Sequence, residues 1–280
     1  MAGKLPVKLK AKLKKLDQIL AQYQSALVAF SGGADSSFLL ARAKAVLGEK
    51  VKAGMIYSLL ITEREKERAE KFARKLGVEL IILNSNPLRE KKLVQNPPNR
   101  CYYCKKEEFK ALKTLAKKLG LKEVLEASNL DDLKDYRPGR KALRELGIKS
   151  PLVEAGFSKE EIRTASKFLG LESWSLPSNA CLASRFPYGE KLTKKKLQQV
   201  AEAEEYLYQL GFRIFRVRYH QEIARVELGE RELKKLLSQP ELRKKIAEKF
   251  LKLGFTYTCL DLLGYQSGSL NKMLKRKIEL

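Results

Sequence analysis

Cysteine is the residue type whose number and spacing in this chain most clearly suggest chemistry. Two of the four cysteines, Cys101 and Cys104, stand three positions apart in CYYC, just before a helical pattern over residues 105–119. Such a pair can bind zinc, form a redox disulfide or supply two ligands to an iron–sulfur cluster. Zinc fits less well, because it takes four ligands and the only histidine, His220, is distant in the sequence. The other uses, and that of an ordinary surface pair, stay open.

The other two cysteines stand alone. Cys181 lies in SNACLASRF, a stretch of small and polar residues typical of a loop, and Arg185 follows shortly after it. A thiolate beside a guanidinium is stabilised and nucleophilic, whereas the alternative is a buried structural cysteine. Cys259 has apolar neighbours in TYTCLDLL, so we expect it to be a core thiol. We expect His220 to be structural.

The segment from Ser31 to Ser36 reads SGGADS and lies between an apolar run and a helical pattern. Its two glycines allow a tight turn close to a ligand, and the N–H groups at the start of the next helix favour an anion. The charge of Asp35 opposes an anion unless a cation lies between them, which suits Mg²⁺ on a pyrophosphate. The segment lacks the Gly-Lys-Ser/Thr of a Walker A loop. An ordinary glycine turn with serine caps is the alternative.

Arg216 and Arg218 alternate in FRVRYH. Alternate residues of a strand face the same side, so the two guanidiniums would form a pair suited to a phosphate. The alternative is a solvated strand face.

Most of the chain alternates short apolar runs with helical patterns, and these elements must position the candidate sites. Leucines at helical spacing predict a helix over residues 5–22, and capping boxes that begin at Thr62 and Ser158 predict two more helix starts. The runs ALVAF, VKAGMIY, VELIIL and EVLEA predict buried strands. This alternation predicts an α/β fold with a doubly wound parallel sheet.

The pattern changes after about Tyr188. A helix over residues 193–210 is followed by the alternating runs FRIFRVRYH and IARVEL, a helical region over 231–253 and a last apolar run, FTYTCLDLL. These elements predict a smaller α+β domain. We therefore place one domain over residues 1–187 and a second over 188–280.

Composition narrows the class of protein. The 280 residues, 44% of them hydrophobic, are enough for a full core. The formal net charge of +24 suits a polyanion such as tRNA, or equally a Lys/Glu-rich surface, because the charge is spread over almost every helical segment. We expect neither a secretory signal nor a membrane span, since lysines interrupt the first residues and no run of about 18 apolar residues occurs. Cysteines in such a chain favour a reducing compartment, and we expect the cytoplasm.

The pattern SGGxDS after an apolar strand resembles the signature of the PP-loop, or N-type, ATP pyrophosphatases. Members of this superfamily cleave ATP between the α and β phosphates, adenylate a carbonyl or carboxylate oxygen, and release pyrophosphate. The resemblance implies an adenylating enzyme in which Asp35 takes part in catalysis. It implies an ATP site made of Ala29, Phe30, Ser31, Gly32, Gly33, Asp35 and Ser36.

Five further stretches are similar to the LarE family, in matching order: ASNLDDLKDYRPGRKALRELGIKSPL, NACLASRFPYGEKLT, LGFRIFRVRYH, IARVEL and LDLLGYQSGSLN. The similarity covers nearly the whole chain from Ala26. It implies an ATP-dependent sulfur transferase of nickel-pincer cofactor biosynthesis. Such an enzyme uses ATP and Mg²⁺ to adenylate a carboxylate of pyridinium-3,5-biscarboxylic acid mononucleotide, and sulfur then displaces AMP. We accordingly expect a small-molecule substrate, a homo-oligomer and no nucleic-acid partner.

The resemblance also implies roles for single residues. Cys181 matches the cysteine that is the sulfur source of the family, and in the simplest members this cysteine loses its sulfur and becomes dehydroalanine. Ser184 and Arg185 match family positions that contact substrate or phosphate, and Glu204 matches a family carboxylate. Together with Arg216 and Arg218, whose paired guanidiniums would suit the phosphate of the mononucleotide, they are the expected substrate- and phosphate-binding residues.

The CxxC pair is a departure, because simple LarE members lack it. The chain resembles instead a subgroup in which two further cysteines join the sulfur-donating one. Cys101, Cys104 and Cys181 would then hold three irons of a [4Fe–4S] cluster and leave the fourth iron open to carry a sulfide. A Cys101–Cys104 redox disulfide that resolves a persulfide on Cys181 is the alternative. The sequence does not identify the donor of replacement sulfur.

Two other functions remain open on the sequence. A tRNA thiolase would use the same loop, three cysteines and a basic surface, and it predicts tight, salt-dependent tRNA binding. The sequence favours LarE, because no appended RNA-binding module is recognisable. A non-catalytic nucleotide-binding protein would bind ATP without releasing pyrophosphate.

Overall fold

The chain divides into two compact units. The computed structural model describes residues 5–133, 137–177, 180–266 and 268–271. The first unit comprises Met1–Ser85 and Asn99–Asn179, and the second comprises Asn86–Pro98 and Ala180–Leu280. The change of unit thus falls shortly before residue 188, where the sequence predicts the second domain to begin, and an earlier segment belongs to the second unit.

The helices are α1 (Val7–Gln22), α2 (Ala34–Leu47), α3 (Glu63–Leu76), α4 (Lys91–Val94), α5 (Arg100–Lys118), α6 (Gly139–Glu145), α7 (Pro151–Glu154), α8 (Lys159–Phe168), α9 (Lys194–Gln209), α10 (Glu230–Leu237) and α11 (Pro240–Lys252). The strands are β1 (Ala26–Ala29), β2 (Val51–Tyr57), β3 (Leu80–Asn84), β4 (Glu123–Leu125), β5 (Phe215–His220), β6 (Ile223–Leu228) and β7 (Tyr257–Leu260). In the described part of the chain, no helix is both long and apolar enough to cross a membrane.

The first unit is built on a parallel sheet with the strand order β3-β2-β1-β4. The chain winds outward from β1 to β2 and β3 and then returns to β4 on the other side of β1, so the predicted doubly wound α/β fold is confirmed. Phe30 prolongs β1 by donating its N–H to Gly54 O at 2.9 Å. In such sheets the ligand crevice lies beyond the carboxyl ends of the strands between which the winding reverses. Here these ends are Ala29 of β1 and Leu125 of β4.

The helices of the first unit follow the sequence pattern closely. Leu9, Leu16 and Leu20 of α1 are buried, as their helical spacing predicts, and they share a core with Phe38 and Phe157. The two predicted capping boxes begin α3 and α8. Each box gives partners to two backbone N–H groups that a helix start leaves without them.

Two helices differ from the prediction. Helix α5 begins at Arg100, earlier than the predicted residue 105, so Cys101 and Cys104 lie on its first two turns. Their spacing of three residues places both thiols on one helical face. The region predicted to be helical over 231–253 is two helices, because Pro240 starts α11 as its first residue.

Hydrogen bonds of Asn96 connect the segment Asn86–Pro98 to the rest of the second unit. Asn96 is fully buried and has a φ of +48°. Its Nδ2 donates to Phe186 O at 3.3 Å and to Pro187 O at 2.8 Å, and its carbonyl accepts from the Gly189 N–H at 3.0 Å. These bonds give partners to the side-chain N–H groups and the backbone carbonyl of this buried residue.

The second unit contains a mixed sheet with the order β5-β6-β7, as expected for a smaller α+β domain. β5 and β6 are antiparallel, whereas β6 and β7 are parallel. Aromatic rings of Tyr219, Phe250 and Phe255 pack against one another beneath it. The register sets Arg216 opposite Glu227 and Arg218 opposite Arg225.

The prediction that Cys259 is a core thiol is wrong, because its side chain is exposed. Among the described residues β7 is an edge strand, and Tyr257, Thr258 and Cys259 are all exposed. Apolar neighbours in sequence cannot distinguish an edge strand from a central one, since both are rich in the same residue types.

Candidate active site

The SGGADS segment forms the loop between β1 and α2. The hydroxyls of Ser31 and Ser36 lie 3.1 Å apart, Ser36 Oγ donates to Gly33 O at 3.2 Å, and the Gly33 N–H donates to Ser31 Oγ at 3.4 Å. These bonds fold the loop onto the first turn of α2, whose N-cap is Gly33. The loop therefore brings its backbone and the positive end of the helix dipole to the carboxyl end of β1, an arrangement that favours an anion.

Gly32 allows α3 to pack directly on this loop. It has a φ of +67°, and a Cβ added there would lie 3.0 Å from the Cβ of the buried Ala69. Its carbonyl accepts from Arg68 Nε at 3.2 Å. Both the backbone conformation and the close approach of α3 thus require glycine.

Replacement of Gly32 by alanine is expected to lower the free energy of unfolding by about 1–3 kcal/mol, because alanine is strained at positive φ and contacts Ala69. ATP affinity should fall with it. Gly33→Ala is the matched control: Gly33 has a φ of −80°, and its added Cβ meets only Ser31 Oγ at 3.4 Å. Denaturant titration of both variants tests this, and equal losses would contradict it.

Asp35 lies in the first turn of α2 with its two carboxylate oxygens in different surroundings. Oδ2 accepts from Asn129 Nδ2 at 3.3 Å. Oδ1 is buried and has no hydrogen-bond partner among the described residues. Burial raises the pKa of this carboxyl and Asp132 adds to the effect, whereas Lys159 and Arg163 oppose it.

The surroundings of Asp35 fit a magnesium ion. A buried carboxylate oxygen without a partner is costly, and a cation removes that cost. Mg²⁺ prefers one or two carboxylates together with phosphate oxygens. Asp35 would hold such an ion next to an anion bound by the loop, and the ion would neutralise charge on that anion.

In the second unit, Arg185 and Glu204 form a buried ion pair, and each is only 3% exposed. Arg185 Nε donates to Glu204 Oε1 at 2.9 Å and Nη2 donates to Oε2 at 3.0 Å. Glu204 Oε1 also accepts from the Val217 N–H at 3.0 Å. Burial disfavours the charge of Glu204, but Arg185 and Arg216 hold its pKa below the usual range.

A second buried pair lies beside the first one. Arg218 Nε and Nη2 donate to the two carboxylate oxygens of Glu227 at 3.0 and 2.8 Å. Arg218 Nη1 donates to Ser184 O at 2.9 Å, and Nη2 also donates to Ser269 Oγ at 2.8 Å. The structure therefore joins the predicted residues Ser184 and Arg218.

Arg216 makes the charge of this cluster positive. It is buried, at 9% exposure, so the interpretation of a solvated strand face is wrong. Its guanidinium lies 5.2 Å from the ring centre of Tyr265, and burial and then Arg185 lower its pKa. Among the described residues, the arginines of this cluster (Arg185, Arg216 and Arg218) outnumber its glutamates (Glu204 and Glu227). A buried excess of positive charge favours a bound anion.

Cys181 is held by its backbone at the start of a short turn. Its carbonyl accepts from the Ser184 N–H at 2.9 Å, from Ser184 Oγ at 2.8 Å and from Arg185 Nη1 at 3.2 Å. The thiol is free and half-buried. The arginine that the sequence suggests as a neighbour of the thiol thus contacts the backbone of Cys181.

Cys101 and Cys104 are half-buried and belong to the first unit, whereas Cys181 belongs to the second. Cys104 Sγ donates to Glu108 Oε1 at 3.1 Å. Two thiols on one face of a helix are a donor pair that iron accepts. Within either unit, the described residues contain no group of three or more His, Cys, Asp or Glu side chains that could hold a metal ion.

The structure brings in site residues that sequence reasoning missed. Asn129 contacts Asp35, Arg68 contacts the loop, and Glu227 and Ser269 contact Arg218. The position of Asn129 in the sequence could have identified it as a site residue, because it closely follows the apolar run EVLEA, as SGGADS follows ALVAF. No such signal identifies Glu227, since its pairing depends on the register of β5 and β6.

The fold and the loop at the switch point between β1 and β4 define a PP-loop ATP pyrophosphatase. No protein-family profile matches the chain. The chain is 38% identical over 258 residues to the pyridinium-3,5-bisthiocarboxylic acid mononucleotide synthase of Lactiplantibacillus plantarum, an alignment that covers 92% of each protein. It therefore belongs to the LarE family of ATP-dependent sulfur transferases.

Two proteins of uncharacterized function are similar over most of their length. One, from Synechocystis sp., is 41% identical over 96% of this chain and 100% of its own. The other, from Methanocaldococcus jannaschii, is 30% identical over 86% of this chain and 90% of its own. The similarity thus includes both units of the chain.

Proposed function

We propose that this protein converts a carboxylate of pyridinium-3,5-biscarboxylic acid mononucleotide into a thiocarboxylate at the expense of ATP, in nickel-pincer cofactor biosynthesis. The observation that carries the proposal is the 38% identity, over 92% of the chain, to a synthase of the bisthiocarboxylic acid mononucleotide. The loop with Asp35 and the arginine cluster of the second unit support it. We further propose that it is a homo-oligomer, which a mass measurement by light scattering tests, and that it works in the cytoplasm.

The first step is adenylation. The loop N–H groups and the start of α2 bind the triphosphate, and Asp35 would hold a Mg²⁺ ion that neutralises part of its charge. A carboxylate oxygen of the substrate attacks the α-phosphorus, and the bond to the β-phosphate oxygen breaks. Pyrophosphate leaves and an acyl adenylate remains. The arginine cluster with Arg216 binds the phosphate of the mononucleotide, because it carries a buried excess of positive charge.

Sulfur then displaces AMP by one of two routes. In one, the thiolate of Cys181 attacks the acyl adenylate and forms a thioester. Loss of the Cα proton and cleavage of the Cβ–S bond then release the thiocarboxylate and leave dehydroalanine. In the other, Cys101, Cys104 and Cys181 would hold a [4Fe–4S] cluster that would supply the sulfide, and Cys181 would stay intact. The CxxC pair makes us favour the second route.

Cys181→Ala is expected to keep pyrophosphate release that depends on the pyridinium dicarboxylate, and to lose thiocarboxylate formation by about a hundredfold or more, since a sulfur ligand or donor is removed. Cys259→Ala is the matched control, because it removes an exposed thiol of an edge strand. Mass spectrometry of the product and of the protein after one turnover separates the routes. Loss of H₂S from Cys181 indicates the first route and would reject the second.

Anaerobic purification with iron and sulfide analysis tests the three-cysteine site. Iron should be lost in both Cys101→Ala and Cys181→Ala and retained in Cys259→Ala. Full iron loading in both of the first two variants would reject a shared cluster. Pyrophosphate release that depends on tRNA, and not on the pyridinium dicarboxylate, would replace the proposed substrate altogether.

A further inference from the structure

Asn129 lies close to one of the two strand ends that border the expected ligand crevice of the first unit. It follows β4, whose carboxyl end is adjacent to that of β1. The side chain is fully buried. A buried amide has two donor hydrogens and an acceptor oxygen to satisfy, so its orientation follows from its partners.

The partners of Asn129 fix that orientation. Its Oδ1 accepts from the N–H groups of Asp131 at 3.0 Å and Asp132 at 3.3 Å. Its own N–H donates to Asp132 Oδ2 at 3.1 Å. Since Oδ1 is held by two donors, Nδ2 must point away from this turn, and it donates to Asp35 Oδ2 at 3.3 Å.

The contact has a consequence for Asp35. One carboxylate oxygen is engaged by Asn129, while the other, Oδ1, is buried and has no hydrogen-bond partner among the described residues. A carboxylate that is free to rotate could offer either oxygen. The bond from Nδ2 instead selects one rotation, and a fixed donor geometry strengthens the binding of an ion.

We propose that Asn129 is a positioning residue that holds Asp35 so that Oδ1 is presented to the magnesium ion of bound ATP. The inference rests on the proposed ATP site and adds a residue to it. Asn129 itself contacts neither ATP nor the ion. It acts through one hydrogen bond to the side chain that does.

Two substitutions separate this role from a structural one. Asn129→Asp keeps an oxygen that accepts from the two N–H groups of the turn, but it has no N–H to donate to Asp35. Asn129→Ala removes both functions. If Asn129 only holds the turn, the aspartate variant behaves as wild type. If it positions Asp35, both variants lose Mg²⁺-dependent ATP affinity.

The measurement is calorimetric titration of the full chain with ATP, once with Mg²⁺ and once with EDTA, together with melting temperatures. In the wild type, Mg²⁺ should tighten ATP binding. In Asn129→Asp the ratio of ATP affinities with and without Mg²⁺ should fall by about tenfold or more, which corresponds to the loss of one hydrogen bond to a charged group. The affinity for metal-free ATP should not improve. Asn86→Asp is the matched control, since Asn86 Oδ1 also accepts a backbone N–H, from Leu88 at 3.2 Å.

The outcomes are distinct. An Mg²⁺ advantage in Asn129→Asp that equals or exceeds that of the wild type overturns the positioning role and leaves the proposed function intact. An equal loss in Asn86→Asp also overturns it, because the effect then does not depend on the contact with Asp35. A wild-type chain that binds no ATP in either condition overturns the proposed function, and the inference falls with it.

Discussion

Asp35→Asn is expected to abolish pyrophosphate release and at the same time to make the ligand-free protein more stable. The carboxylate is needed to hold Mg²⁺ on ATP, so the rate should fall by about a hundredfold or more. Without ligands, however, Asp35 is a charge that burial disfavours, and its Oδ1 lacks a partner among the described residues. Removal of that charge should raise the free energy of unfolding by about 1 kcal/mol at pH 7.

The pH dependence of this gain has a definite sign. Burial raises the pKa of Asp35 in the folded protein above its ordinary value of 3.8, so the ionised group reduces stability at neutral pH. As the pH falls through the folded-state pKa towards 3.8, Asp35 takes up its proton and the advantage of the asparagine variant should disappear.

Asp17→Asn is the control for Asp35→Asn. Asp17 accepts from Arg42 Nε at 3.1 Å in a partly exposed ion pair, so its loss should lower stability slightly and leave pyrophosphate release unchanged. Denaturant unfolding and a pyrophosphate assay measure both quantities. An Asp35→Asn variant that is active, or that is less stable than wild type at pH 7, would refute the role given to Asp35.

Arg185→Met is expected to cost about 3–5 kcal/mol of stability, since it leaves the buried Glu204 without its bidentate partner. It also removes a donor to the carbonyl of Cys181, so sulfur transfer should fall as well. Arg185→Met combined with Glu204→Leu should recover part of the stability. Recovery stays partial, because Val217 loses the acceptor of its N–H.

The control for Arg185→Met is Lys234→Met, which breaks an exposed ion pair with Glu230 in the same unit and should leave the melting temperature unchanged. A similar small effect in Arg185→Met would show that the buried pair does not stabilise the unit.

The buried pair of Arg185 and Glu204 should also make the stability of the protein depend on pH in the acidic range. Arg185 holds the pKa of Glu204 below its ordinary value of 4.5, so this stabilisation is complete above pH 4.5 and is lost as the pH falls through the lower folded-state pKa. Glu204→Gln should remove that part of the acid dependence.

The candidate ATP site is largely predictable from the sequence because its residues are local. Ser31, Gly32, Gly33, Asp35 and Ser36 are near neighbours in the chain, and the short loop between a strand and a helix places them together. The parallel sheet follows equally from the alternation of apolar runs and helical patterns. Helix ends were less predictable, as α5 shows, because a helix can extend over residues that carry no capping side chain.

The tertiary structure decided the features that depend on pairs distant in sequence. The alternation of Arg216 and Arg218 puts both on one strand face, but it cannot say whether that face is solvated. Burial beside Glu204 and Glu227 follows from the packing of α9 and the register of β6. The exposure of Cys259 likewise follows from the edge position of β7.

The residues of SGGADS by themselves determined that a turn with an acidic side chain follows β1, since two adjacent glycines and a helix start require no distant partner. Only the tertiary structure decided which oxygen of Asp35 stays available. That choice depends on Asn129, which the return of the chain to β4 brings beside β1. Adjacent residues determine which chemical groups the loop carries. The orientation of those groups depends on contacts with distant segments that the strand order brings close.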